Sequence, residues 1–263
     1  MTEAIRLNGL KIERGDKAIL RGIDLEIAEG SFVAIVGPNG SGKTSILKAL
    51  LGLMSPYEGE LQLAGRSLDK LSPRERSASI AWLPQKDFTA EPMAVLDFVM
   101  TSRYRFRESA GDSKAAAEKA LKRVKMDHMC ERFVSTLSGG ECQRVSLACL
   151  LAQSAPVLLV DEPGNHLDPG QQLQVYSLLG ELWREGKTIV CVTHDVNLLR
   201  QVGLHEEAGE LRVVGLNEGE LAFDASLTEP KLSEHLSQLF DVQFSTLSTE
   251  GGPYFGIAPK GSS

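Results

Sequence analysis

The sequence predicts an α/β fold: a mostly parallel sheet with an antiparallel N-terminal β subdomain and a helical insertion. Three observations predict it. Phe32–Val36, Val157–Val160 and Thr188–Thr193 are short apolar runs, as strands buried on both faces require. Helical stretches alternate with them, which implies parallel strands with covering helices. Residues Ile5–Ile27 read as short strands separated by turn residues, which suits antiparallel pairing.

The N-terminal strands have their turns predicted at Asn8-Gly9 and Gly15-Asp16. After the strand Phe32–Val36 comes a Gly-rich turn. A helix is then predicted over Ser45–Met54, where Ile46, Leu47, Leu50, Leu51 and Met54 fall at helical spacing. Ser79–Leu83 is a short strand stopped by Pro84. Met93–Met100 and Ser113–Met126 read as helices, rich in Lys, Glu and Ala in the second, and define an insertion over 86–137. An apolar helix spans Cys142–Ala152, and another lies over Gly170–Glu185. Glu210–Phe223 suggests a hairpin about Asn217-Glu218-Gly219, and the tail Leu227–Ser263 holds a short helix followed by weak patterning. The expected division is a single domain over 1–263. Its core is 1–85 with 138–225, its helical subdomain 86–137, and its C-terminal extension 226–263.

Composition narrows the function classes. Of 263 residues, 42% are hydrophobic and 24% charged, the balance of a globular domain. A formal net charge of −7 gives a field that does not favour nucleic acid or an anionic membrane surface. Cys130, Cys142, Cys149 and Cys191 form no C-x-x-C pair, so they read as buried, reduced thiols rather than metal ligands or disulfides. The start MTEAIRLNGL lacks the pattern of a secretory signal. No stretch approaches the roughly 18 apolar residues of a spanning helix, so the chain is not expected to cross a membrane alone.

Gly37-Pro38-Asn39-Gly40-Ser41-Gly42-Lys43-Thr44 fits G-x-x-x-x-G-K-[ST] between a buried strand and a helix, the context this phosphate loop requires. The expected fold is therefore P-loop NTPase-like. Glycines let backbone N–H groups turn inward around phosphate oxygens, and the helix N-terminus, from Ser45, adds a favourable dipole. Lys43 can reach the β- and γ-phosphates of ATP, and the Thr44 hydroxyl can bind Mg²⁺. Val157–Val160 runs into Asp161 and Glu162 at a strand's carboxyl end, where ligands of open parallel sheets sit. Asp161 is expected to hold Mg²⁺, and Glu162 to orient and polarise the attacking water.

Leu137-Ser138-Gly139-Gly140-Glu141 opens the helix Cys142–Ala152, with Ser138 and Glu141 as a capping box. Capping does not explain two glycines in a first turn. Close approach of another group, such as a phosphate, would. Either the chain binds two nucleotides, or one device faces the nucleotide of a second chain; spacing does not decide between these.

The motifs GPNGSGKT, LSGGE and VLLVDEP, in this order, resemble the nucleotide-binding subunits of ATP-binding-cassette transporters. Gln85 is similar to the family's Q-loop glutamine, Asn165-His166-Leu167-Asp168 to its D-loop, and His194 to its switch histidine. The resemblance covers about residues 5 to 225. It implies ATP and Mg²⁺ as ligands, with Gln85 joining Thr44 and Asp161 near the metal. It also implies a head-to-tail dimer, each ATP lying between one chain's phosphate loop and the other's Ser138-Gly139-Gly140, and a γ-phosphate contact for His194. The implied partners are a transmembrane permease and, indirectly, an external substrate-binding protein. The implied place is the cytoplasmic face of the inner membrane, and no nucleic acid is expected.

Gly65-Arg66-Ser67-Leu68, Leu71–Arg76, Ile80–Gln85, Asn165–Asp168 and Leu239-Phe240-Asp241-Val242 resemble the branch that energises importers of iron–siderophores, haem and cobalamin. An export or lipid-transport ATPase is the runner-up. A soluble cassette ATPase is a third reading, opposed by the single cassette and short insertion. Gly203–Glu210 departs from the usual pattern. So does Arg14, which stands where similar subunits often carry an aromatic residue for adenine; stacking by its guanidinium and simple solvation are both open. Arg103-Tyr104-Arg105-Phe106-Arg107 interleaves basic and aromatic residues, and permease docking or a solvated helix end ranks above nucleic acid there.

Overall fold

The computed structural model describes residues 2–56, 58–85, 92–203, 210–249 and 252–260. In chain order the first half comprises β1 (Glu3–Arg14), β2 (Lys17–Ala28), β3 (Phe32–Val36), α1 (Lys43–Leu50), β4 (Glu58–Leu63), β5 (Arg66–Ser67), α2 (Pro73–Ser79) and β6 (Ile80–Leu83). Next come α3 (Val95–Thr101), α4 (Ala110–Arg123), α5 (Gly139–Ala152), β7 (Val157–Asp161), α6 (Pro169–Arg184) and β8 (Thr188–Val192). A 3₁₀ segment over Val196–Val202 leads to β9 (Leu211–Asn217), β10 (Glu220–Ser226), α7 (Leu232–Phe240), β11 (Gln243–Thr249) and β12 (Gly252–Ala258).

The central sheet has the order β10-β9-β3-β8-β7-β6, parallel from β9 to β6, with β10 antiparallel at one edge. A second sheet, β2-β1-β4-β5, is antiparallel. The turn expected at Gly15-Asp16 joins β1 to β2. Asn8-Gly9 makes no turn. β1 runs through it with a register shift between Leu7 and Leu10, and Gly9 takes φ 57°, so the Asn-Gly signal marks a bulge in one long strand.

The central strands are apolar throughout because each faces two cores. From β3, Phe32, Ala34 and Val36 enter one cluster and Val33 and Ile35 the other. From β7, Leu158 and Val160 share the first, while Val157 and Leu159 share the second. The first core lies beneath α3 to α7. The second is shared with α1 and the antiparallel sheet. The sheet is thus a common wall, and strand ends carrying functional side chains are held from both sides.

The tail does more than the weak pattern suggested. β11 and β12 pair as a hairpin from Gln243 opposite Ala258 to Thr249 opposite Gly252, with Phe255 buried. The Arg103–Arg107 run is also more structural than expected. Arg103 is buried, paired with Glu108 at 2.6 Å, donating to Ala152 O at 2.7 Å and lying 3.5 Å over the Phe106 ring. Arg105 donates to Gln153 O at 2.7 Å. Arg103 and Arg105 tie the segment after α3 to the end of α5, so solvation does not account for them; of the five, Tyr104 and Arg107 are exposed.

Candidate functional site

The loop after β3 wraps back on itself before α1. A Cβ on Gly37 would stand 2.1 Å from Leu216 O of β9, so only glycine fits where the loop passes that strand. Lys43 opens α1, largely buried, with Nζ donating to Gly37 O at 2.7 Å and Pro38 O at 2.9 Å. Burial lowers its pKa, opposed by the charges of Glu162 and Asp161. Ser41 Oγ is buried with no hydrogen-bond partner among the described residues. Ser45 N–H bonds Gly42 O at 2.9 Å, closing the first turn.

Asp161 ends β7 and is 1% exposed. The Thr44 hydroxyl donates to its Oδ1 at 3.4 Å. Burial raises the Asp161 pKa, and the Glu162 charge adds to this, while Thr44 and two lysines oppose it. A buried carboxylate with one long hydrogen bond beside a hydroxyl is a hard oxygen donor set that a divalent cation would satisfy, so these residues fit Mg²⁺.

Glu162 follows with left-handed backbone, φ 50°, its N–H fixed to Val192 O at 2.9 Å. That turn lifts its side chain off the strand line, and three donors converge on the carboxylate. Gln85 Nε2 reaches Oε2 at 2.6 Å, His194 Nε2 reaches Oε1 at 2.5 Å, and Asn165 Nδ2 also bonds Oε2. Gln85, Glu162 and His194 come from the ends of β6, β7 and β8, adjacent strands of one sheet, which is why residues so far apart in sequence meet. Gln85 bonds Glu162 rather than the Thr44–Asp161 pair with which the sequence grouped it. The contact of Asn165 is not legible in the sequence, where nothing shows that its loop folds back onto Glu162. Buried Gln143 supports the loop by donating to Pro163 O at 2.9 Å, and Gln172 by donating to Gly164 O at 3.0 Å.

A cleft of about 670 Å³ joins these groups: Lys43, Thr44, Gln85 and Glu162 line it, with Arg14 and Lys17 at the β1–β2 turn. Its size suits a nucleotide. Ser138, Gly139, Gly140 and Glu141 do not line it. They form the N-terminus of α5, with the capping box formed: Ser138 Oγ accepts from Glu141 N–H, and Glu141 accepts from Ser138 N–H at 2.8 Å. The two glycines differ. A Cβ on Gly140 would lie 2.2 Å from Gln171 Nε2, the end of a flexible side chain that would have to move aside. A Cβ on Gly139 would meet nothing within 4 Å, so this exposed position is open to an approaching group. Asp168 caps α6, its Oδ1 accepting from Gln171 N–H at 2.9 Å.

A phosphate loop after β3, an acid pair after β7 and a histidine after β8 define the class of P-loop ATPases. Comparison with known proteins narrows this. The family profile described as "ABC transporter" matches residues 20–165. A second, described as "AAA domain, putative AbiEii toxin, Type IV TA system", matches residues 136–200. Relatives include the ferric enterobactin transport ATP-binding protein FepC of Escherichia coli, 32% identical over 92% of this chain and 90% of that protein. The hemin import ATP-binding protein HmuV of Rhizobium meliloti is 36% identical over 80% of this chain and 85% of its own. Among solved structures, the ATP-binding cassette MJ0796, a dimer in a post-hydrolysis state bound to ADP and Pi, superposes with TM-score 0.75 at 30% identity, over 86% of this chain and 99% of that one. The chain belongs to the ATP-binding subunits of ABC transporters, and it is an ATPase.

Proposed function

We propose that this chain energises a membrane importer of a metal chelate, such as a ferric siderophore, haem or cobalamin, as a head-to-tail dimer. The observation that carries the dimer is the separation of two phosphate-binding devices. The cleft holds the phosphate loop and Glu162, while the α5 N-terminus, with open Gly139, does not line it. A second copy in head-to-tail orientation would set its Ser138-Gly139-Gly140 against the nucleotide. Import of a chelate is supported by the relatives, which are named for ferric enterobactin transport and hemin import.

In this reading Lys43 exchanges its loop carbonyls for the β- and γ-phosphates of ATP. Thr44 and Asp161, with Gln85 nearby, would hold Mg²⁺, which would neutralise charge developing on the phosphates. Glu162 orients the attacking water and accepts its proton. Gln85, Asn165 and His194 hold that carboxylate in place, and His194, bonded to the cleft-lining Glu162, would contact the γ-phosphate. Arg14 stacks its guanidinium on adenine. Arg14→Ala is then expected to weaken ATP binding about fivefold, the effect of losing roughly 1 kcal/mol of stacking. Equilibrium titration measures this, and an unchanged affinity rules stacking out.

No described helix is long and apolar enough to cross a membrane; the permease is, in this reading, a partner of the subunit. We place its contact in the groove between α1, α2 and α3, where Leu53 and Tyr104 are strongly exposed beside half-buried Trp82. The subunit would sit there at the cytoplasmic face of the inner membrane, with an external binding protein delivering cargo to the permease. Affinity purification from detergent-solubilised native membranes tests this. A polytopic permease in equal copy number, carrying uptake of a ferric chelate or haem once reconstituted in vesicles, is the expected result. Outward transport would instead identify an exporter. A soluble partner and no permease, under conditions that keep a control transporter intact, would remove the transport reading.

A further inference from the structure

We infer that Asn197 is a positioning residue for His194, clamping the turn after that histidine to the C-terminal hairpin. The inference rests on the role proposed above for His194. Before His194, Thr193 is buried, bonded to Tyr176 Oη at 2.8 Å, with its N–H on Ile35 O at 3.2 Å. That side of the turn is tied to the sheet. After it, Asp195 N–H donates to Thr193 Oγ1 at 3.2 Å, and Asp195 Oδ1 accepts from Asn197 N–H at 2.9 Å.

The Asn197 amide then uses both its ends on one residue of β12. Nδ2 donates to Phe255 O at 3.1 Å, and Oδ1 accepts from Phe255 N–H at 2.8 Å. A neighbouring strand would make the same pair of bonds, so the side chain substitutes for one at the edge of β12. The strand it grips is itself anchored. The Phe255 ring is 2% exposed, in the core that contains Val196 and Leu199. Arg200 Nη2 holds Thr249 Oγ1 at 2.6 Å, and Ser237 Oγ accepts from Phe244 N–H at 2.8 Å.

The His194 side chain is 38% exposed, and its Nε2 lies 2.5 Å from Glu162 Oε1. With so much of the ring in solvent, the backbone on either side sets where the imidazole falls. One anchor is the sheet and the other is the hairpin, so the tail belongs to the apparatus that holds the switch histidine.

The test compares Asn197→Ala and Asn197→Asp with wild type, all as full chains. The Asn197→Ala variant is expected to lower kcat about five- to tenfold, with KM for ATP and ATP-binding stoichiometry within about twofold. Asn197→Asp, whose carboxylate faces Phe255 O, is expected to lose at least as much. Ring signals of His194 in NMR spectra, identified by their disappearance in His194→Ala, should shift or broaden while those of the other four histidines stay. Normal kcat in both variants overturns the inference. So does a loss that merely tracks reduced ATP-binding stoichiometry with His194 signals unchanged, since that is the mark of a folding defect. Hydrolysis at the wild-type rate in His194→Ala would instead sink the role proposed for His194.

Discussion

Glu162→Gln is expected to bind ATP normally and to hydrolyse it at least about a hundredfold more slowly, the scale of losing a positioned general base. The substitution preserves size, so the left-handed turn at φ 50° is undisturbed. Its amide oxygen can take over the bonds that Oε2 accepts from Gln85 and Asn165. Its amide nitrogen then faces His194 Nε2, which can accept once the ring proton moves to Nδ1. The network therefore survives while the proton acceptor is lost. Phosphate release and equilibrium ATP titration, measured together, decide the matter. Hydrolysis within a few fold of wild type would mean that another group takes the proton.

Gly139→Asp is the second large effect. The site is open, so an added side chain meets nothing. An acid in the first turn of α5 also complements the helix dipole. The isolated chain should melt within a few degrees of wild type, given a stability change below about 1 kcal/mol. Against a nucleotide phosphate, however, the same carboxylate is a like charge where partner N–H groups should be. ATP-dependent dimerisation in the Glu162→Gln background should disappear, and hydrolysis in the otherwise wild-type chain should fall at least about a hundredfold. Light scattering with and without ATP reads the first, and phosphate release the second. A variant that still dimerises and turns over would place Ser138-Gly139-Gly140 away from the nucleotide and remove the head-to-tail arrangement.

The parallel strands were legible because a strand facing two cores must be apolar at every position, as Phe32–Val36 and Val157–Val160 are. The phosphate loop was legible because its demands are local. The Asn8-Gly9 bulge was misread because Asn-Gly favours positive φ alike in a turn and in a bulge, and only the register of β1 on its neighbours separates them. β11 and β12 are not legible because their apolar residues do not follow burial: Leu247, Tyr254 and Ile257 are exposed, and Phe255 is the single buried residue of the two strands. α2 was passed over, although Ser72 and Glu75 form a capping box there, because the helix buries no residue and so has no apolar period. The glycine pair was half explained. Gly140 lies against the Gln171 side chain, a fold contact that spacing does not reveal. The convergence of Gln85, Asn165 and His194 on Glu162 likewise depends on strand order, a property of the sheet rather than of any segment.

The two tryptophans stand in unlike surroundings. Trp183 is sealed in the first core, its indole N–H on Gly30 O at 2.8 Å and its ring edge-on to Phe32 at 5.7 Å. Trp82 lies half-buried in the groove beside α1 and α3, on the strand that leads to Gln85, and its indole N–H has no partner among the described residues. One emitter is shielded from whatever binds, while the other sits between the proposed membrane contact and the nucleotide cleft. The chain thus carries its own optical reference and its own optical sensor, with no label attached.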